Sequence, residues 1–269
     1  MATVNEIYAF VDQLAPFSYQ MSFDNAGFLV GRGERQVTRI LVSLDITEEV
    51  VREAAEWKAE LIVSHHPVIF HPARSITDQD PTGRILLALA EGGIAAVCAH
   101  TNLDAVAGGV NDALARAVGL TEIGMLQTSG VDERGVPYGI GRVGVLKGNT
   151  APTPADYAAW VKTVLQANGV RYVDAGRPVR RVAVGGGACG CYIPQAIAAG
   201  CDTFVTSDLK YNDFLDTEGL NLIDAGHFPT ENVVCPALQG RLAEAFPAVD
   251  VLCSTSHSRE IIQYCIKEK

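Results

Sequence analysis

Apolar positions recur at helical spacing from the start of the chain. Ile7, Phe10, Val11 and Leu14 share one face of residues 4–15, and Pro16 marks the end. Phe23 to Gly31 reads as an Asx/Gly-rich turn that opens a short strand. Arg39 to Leu44 is a β-branched and leucine run, the signature of a buried strand. Thr47 is the natural N-cap of a helix that starts with two glutamates and runs to about Ala59. Leu61 to Ser64 is a second buried strand, ending in His65-His66-Pro67. A helix fits Arg84 to Glu91, stopped by Gly92-Gly93, and Ile94 to Ala99 is a third buried strand that runs into His100-Thr101-Asn102-Leu103-Asp104. Asn111 to Val118 is helical, with Gly119 as its stop.

The middle of the chain, roughly 125–180, patterns differently. Val136 to Leu146 is Gly-punctuated and β-rich, and a helix starts at Thr153 or Pro154 and runs through Leu165. Strand and helix then alternate again: Arg181 to Val184, the turn Gly185-Gly186-Gly187, and Ile193 to Ala199. Strands alternating with helices predict an α/β fold with a mostly parallel sheet, whose ligands gather at the carboxyl ends of the strands.

The returning pattern reads as an internal repeat. The segment from RILVSLDI to Ser64-His65-His66 is matched by the segment from RRVAVGGG to Thr206-Ser207-Asp208, and His100-x-x-x-Asp104 is matched by His227-x-x-x-Glu231. The expected architecture is two related α/β lobes facing each other, the first formed by residues 1–124 with 230–269 and the second by residues 125–229.

Composition narrows the class. With 269 residues the chain can bury roughly 75% of the surface it would expose unfolded, so its core needs no covalent staples. A formal net charge of −10 and the lack of a basic run argue against nucleic acid and anionic membranes as partners. No apolar stretch reaches the length of a membrane helix, about 18–20 residues. Seven cysteines, an odd number, in a chain that opens without a secretory signal predict free thiols and a reducing cytoplasm.

Four of the six histidines fall at predicted strand ends. Side chains alternate along a strand, so the adjacent His65 and His66 reach a shared cavity, or one ion each, only where the strand ends and the chain turns. Imidazole with carboxylate suits Zn, Fe, Ni or Mn, which makes His65, His66, Asp104, His227 and Glu231 the candidate metal ligands. His100 either orients a carboxylate or water near the ligands or is structural, and His71 and His257 either line the cavity as an acid or base or are structural. Asp208 and Lys210 read as a substrate contact or a plain ion pair. The amides of Gly186 and Gly187 read as a phosphate cradle or a tight packing turn. Cys189-x-Cys191 is no strong metal motif and reads as buried, inert thiols. Asp24-Asn25 either faces the site or caps a turn.

These motifs resemble one family, the Nif-three-like dinuclear-metal hexameric proteins, the GTP cyclohydrolase I type 2 homologues. The resemblance rests on Phe23-Asp24-Asn25-x-Gly27, Ser64-His65-His66-Pro67, His100-Thr101-Asn102-Leu103-Asp104, Thr206-Ser207-Asp208-Leu209-Lys210 and Gly226-His227-x-x-x-Glu231, and it spans nearly the whole chain. It implies two divalent metal ions per chain, held by His65, His66, Asp104, His227 and Glu231 in a cleft between the lobes. It also implies a toroidal homohexamer. Asn212 stands where members commonly carry a histidine, and Gly187-Ala188-Cys189-Gly190-Cys191 replaces a serine-bearing turn.

The resulting expectation is a metal-dependent hydrolase that opens a C–N bond of a cyclic amidine, as in a purine nucleotide such as GTP. His100 and His257 are its candidate proton carriers. Asp208, Lys210, Gly186 and Gly187 are its candidate contacts to a small-molecule, nucleotide-like substrate. The alternative is a non-catalytic metal-binding, metal-delivery or regulatory interaction protein.

Overall fold

The computed structural model describes residues 2–148 and 151–265. The chain divides into two compact units, Met1–Val106 with Cys235–Ser258, and Ala107–Val234 with the chain from Arg259 onward.

In the first unit, a short strand β1 (Ala2–Thr3) leads into α1 (Val4–Leu14), which Thr3 and Glu6 close with a capping box. Then come β2 (Gly27–Val30), β3 (Gln36–Val37), β4 (Arg39–Ser43), α2 (Glu48–Trp57), β5 (Leu61–Ser64), α3 (Pro81–Gly92), β6 (Ala95–Cys98) and α4 (Thr101–Ala105). Thr47 caps α2 as expected, accepting from the Val50 amide at 3.3 Å. Helix α3 starts three residues before its predicted Arg84, because Asp80 accepts the Gly83 amide at 2.9 Å and Pro81 occupies the first helical position.

The second unit begins with α5 (Val110–Ala117), followed by the long strands β7 (Leu120–Val131) and β8 (Pro137–Leu146), α6 (Pro154–Val164), β9 (Arg171–Val173), β10 (Arg181–Val184), α7 (Ile193–Ala198), β11 (Thr203–Thr206), α8 (Tyr211–Asp216), β12 (Asn221–Asp224) and α9 (His227–Glu231). The chain then returns to the first unit through α10 (Val234–Ala245) and β13 (Asp250–Cys253).

The first sheet runs β13-β4-β5-β6-β2, parallel except for β2. Its core sets Leu41, Ile62 and Ala96 of the strands against Val50, Val51 and Ala54 of α2 and Leu89 of α3. Ser43, Ser64 and Cys98 lie side by side at the ends of β4, β5 and β6. Residues just beyond those ends therefore leave from one edge of the sheet, which is how residues distant in sequence can be gathered.

The second sheet runs β7-β8-β10-β11-β12-β9. Strands β10, β11 and β12 are mutually parallel, with antiparallel β9 beside β12. Three adjacent parallel strands with an antiparallel neighbour beside the third is also the order of β4, β5, β6 and β2. Val182, Val184, Val205 and Ile223 pack with Leu114, Tyr157, Ala158 and Val161.

The unit boundaries differ from the lobes expected from sequence. Residues 107–124 go with the second sheet, since β7 pairs along β8 and Asp112 of α5 bonds Arg142 of β8. The segment from Arg259 also belongs there, where the Asn168 side-chain amide donates to the Glu260 and Ile262 carbonyls. No helix among the described residues is long and apolar enough to cross a membrane.

Candidate metal centre

In the first unit the ladder between β4 and β5 continues past the strand end: the His65 amide donates to Ser43 O and the His66 amide to Leu44 O. The Ser64 hydroxyl donates to the His66 carbonyl at 2.8 Å, turning the chain there. Both imidazoles thus reach one place, with ring centroids 5.0 Å apart. His100, the N-cap of α4, joins them at 5.2 Å from His65 and 5.4 Å from His66. One ring nitrogen of each lies within 4.8 Å of the others. Asp104, one helical turn after His100, brings a carboxylate oxygen to 3.7 Å from His65 Nε2.

A common arrangement orients the three rings. His65 Nδ1 donates to the Ala99 carbonyl at 2.9 Å, His66 Nδ1 meets Asp45 Oδ1 at 2.7 Å and His100 Nδ1 meets Asp24 Oδ1 at 2.6 Å. Carbonyl and carboxylate oxygens only accept, so in each neutral ring Nδ1 carries the proton and Nε2 holds the lone pair. The Asp24 side chain is fully buried. Burial alone would raise its pKa, but hydrogen bonds from His100 and Thr101 outweigh it and hold the carboxyl down to about 2. Asn25 beside it donates to the Ile69 carbonyl, anchoring the segment after His66. Asp24-Asn25 therefore holds the His100 ring and fastens a turn.

Asp45 was missed in the sequence. Its second oxygen accepts from His257 Nε2 at 2.7 Å, so one carboxylate spans two imidazoles. Burial works against its charge, yet the hydrogen bonds from His257 and His66 keep it well below the usual carboxylate range. The available signal was its place two residues beyond β4, on the same edge as His65 and His66. His71 is exposed, packs edge-on against Phe70 and lines a surface cavity of about 410 Å³ with Arg74 and Asp80.

In the second unit, α9 is a single helical turn that puts His227 and Glu231 on one face, with Nε2 and Oε2 3.0 Å apart. Asp208 Oδ2 takes the other ring nitrogen, Nδ1, at 2.5 Å. Burial disfavours the imidazolium, but the hydrogen bonds it donates to Asp208 and Glu231, with their negative charges, prevail and raise the His227 pKa to about 10. Asp208 adopts a left-handed backbone, φ 56°, unusual for a non-glycine residue. Its charge is stabilised chiefly by the His227 hydrogen bond.

The Gly-rich turn is not a phosphate cradle. The Gly186 amide donates to Asn111 Oδ1 at 3.0 Å and the Gly187 amide to Thr230 Oγ1 at 3.1 Å, so both serve packing. A side chain on Gly187 would collide with Glu231, which explains the glycine. Asp208 orients His227, while Lys210 is exposed at the start of α8 beside the exposed Asn212. Cys189 is buried as expected; Cys191, expected to be buried, is exposed.

Comparison with known proteins shows the family. Residues 2–260 match Duf34/NIF3 (NGG1p interacting factor 3). The chain belongs to the NIF3 family. A Clostridium perfringens relative called GTP cyclohydrolase 1 type 2 homolog is 35% identical over 231 residues, covering 85% of this chain and 86% of its own. A Streptococcus pneumoniae relative of the same name is 32% identical, covering 83% and 84%. Among solved structures, a Staphylococcus aureus hypothetical protein superposes with a TM-score of 0.90 at 31% identity, covering 98% of this chain and 99% of its own. A Bacillus cereus protein related to NIF3 reaches 0.91 at 25% identity, with the same coverage.

Proposed function

We propose that His65, His66, Asp104, His227 and Glu231 hold two divalent metal ions, Zn, Fe, Ni or Mn, and that the loaded protein is a hydrolase acting on a C–N bond of a cyclic amidine. The observation that carries the metal reading is the shared orientation of the rings. His65, His66 and His227 each commit Nδ1 to a fixed oxygen acceptor, which directs Nε2 to ligation. The donor chemistry suits borderline first-row ions. In the second unit His227 Nε2 and Glu231 Oε2 stand 3.0 Å apart, close enough to share one cation.

Bound divalent ions would supply Lewis acidity, lowering the pKa of water toward about 7. The chain's own residues supply the rest. His100 is the better placed of the two expected proton carriers. It stands beside His65 and His66 with Nδ1 held by an ionised Asp24, the arrangement that keeps an imidazole ready to take a proton at Nε2 and pass it to a leaving nitrogen. His257 directs its Nε2 at Asp45 instead. Lys210 is the remaining contact for a substrate phosphate.

A second reading, metal binding or delivery without turnover, is favoured by the internal commitments of Gly186, Gly187 and Asp208, which leave few of the expected substrate contacts available. The toroidal homohexamer and the reducing cytoplasm belong to the proposal too. The seven cysteines stand as thiols, which supports the compartment, and a solution mass six times that of the chain would support the hexamer.

The deciding measurement is metal content per chain, for protein purified without chelators or a histidine tag, beside His66→Ala. About two ions per chain, falling in the variant, support the site. No metal in either after reconstitution overturns it. Turnover of GTP by the loaded protein, abolished in His66→Ala, then separates the hydrolase from the delivery protein.

A further inference from the structure

The geometry points to Asp45 as the residue that positions His66 for ligation, itself held by a string of contacts from Glu53 through the turn Ser254–His257. This rests on the reading of His66 as a metal ligand.

A carboxylate can only accept, so His66 Nδ1 and His257 Nε2, each 2.7 Å from a different oxygen of Asp45, both carry protons. His66 is thereby confined to the tautomer with its lone pair on Nε2. Its backbone is already held by the hydrogen bond its amide donates to Leu44 O and by the Ser64 hydroxyl donating to its carbonyl. The Asp45 contact adds a constraint on ring rotation.

Asp45 is in turn fixed from its far side. His257 is the last residue of a turn gathered on one carboxylate of α2. Glu53 accepts from the Ser254 hydroxyl at 2.5 Å, the Thr255 amide at 2.9 Å, the Thr255 hydroxyl at 2.8 Å and the Ser256 amide at 3.1 Å. Ser254 Oγ also accepts the His257 amide at 3.3 Å, and the Ser254 amide extends the ladder to Val42 O. Four donors on one carboxylate is more than a surface turn needs. Their shared result is that His257 meets Asp45 at a fixed angle. In this role His257 acts through Asp45 and does not touch substrate.

Asparagine at position 45 offers one acceptor oxygen and an amide that donates, so it cannot accept from both rings. Asp45→Asn should admit the other His66 tautomer, with the proton on Nε2 where a metal would bind. Two readings test this. In metal-free protein, nitrogen NMR of the His66 imidazole reports its tautomer: Nδ1–H alone in wild type, with Nε2–H appearing in Asp45→Asn. In competition with a chelator, zinc affinity should fall by about 10–100-fold. Since Asp45 is partly exposed, the substitution should fold. His257→Gln, which can still donate to Asp45, should keep more affinity than His257→Leu, an independent arm on a second residue. A His66 that keeps its wild-type tautomer in Asp45→Asn, or zinc affinity indistinguishable from wild type, overturns the inference. Wild-type protein that takes up no zinc overturns the ligand reading instead, and the tautomer comparison still decides whether Asp45 orients the ring.

Discussion

The carboxylate of Glu231 occupies the space that a side chain on Gly187 would need, and Gly187 sits in the left-handed region at φ +66°. Gly200 has the same backbone sign, φ +71°, with open space around it. Alanine at either position should cost about 1–2 kcal/mol of backbone strain. Only Gly187→Ala should also displace Glu231 and lower bound zinc. Zinc stoichiometry measured on the two variants side by side checks this; equal zinc in both would separate Gly187 from the ligand set.

Glu53 supplies a pH dependence whose sign can be worked out. Burial would raise its carboxyl, but the donors from Ser254, Thr255 and Ser256 hold it down to about 2 from an ordinary 4.5. A depressed folded pKa stabilises above the unfolded value, so this contribution is complete above pH 4.5 and is lost as the pH falls through about 2. Glu53→Gln should cost about 1–2 kcal/mol at neutral pH, allowing for its partial exposure. It should also flatten the acid limb of stability. Urea midpoints across pH 2–5 read both effects, and an unchanged acid limb would show that the turn holds without the charge.

Arg142 and Asp112 form a buried pair that ties α5 to β8, Nε to Oδ2 at 2.7 Å. Asp112→Ala would remove that carboxylate from a buried guanidinium that also donates to the Gly139 and Gly141 carbonyls, at an expected cost of about 3–5 kcal/mol. The unfolding midpoint in urea measures it. A loss under about 1 kcal/mol would mean that the Gly139 and Gly141 carbonyls suffice.

Zinc should stabilise the folded chain, since the unfolded chain lacks the assembled ligands. At a free concentration near 100 times Kd the gain is about 2.7 kcal/mol, and EDTA should reverse it. Glu231→Gln, which keeps the shape but loses the charge beside His227, should blunt the shift seen by calorimetry. A full shift in that variant would remove Glu231 from the ligand set.

What the sequence determined by itself was local. β-Branched runs placed β4, β5, β6 and β10 to within a residue or two, because a strand buried on both faces must be apolar throughout. Thr47, Thr153 and Gly93 marked helix ends, because capping is settled within a few residues. The four-residue spacing in His100-x-x-x-Asp104 and His227-x-x-x-Glu231 was legible because one helical turn fixes which side chains share a face. Strand β7 was not legible: it lies at the sheet edge, its burial alternates unevenly and its pairing with β8 shifts register twice. Tertiary structure alone decided the partners of the histidines. Asp45 and His257 are 212 residues apart, and Asp24 and His100 are 76 apart. No periodicity connects such positions; they meet because strands far apart in sequence end in register at one sheet edge. The same holds for the Gly-rich turn, whose amides were committed by Asn111 and Thr230, residues that only the folded chain brings to it.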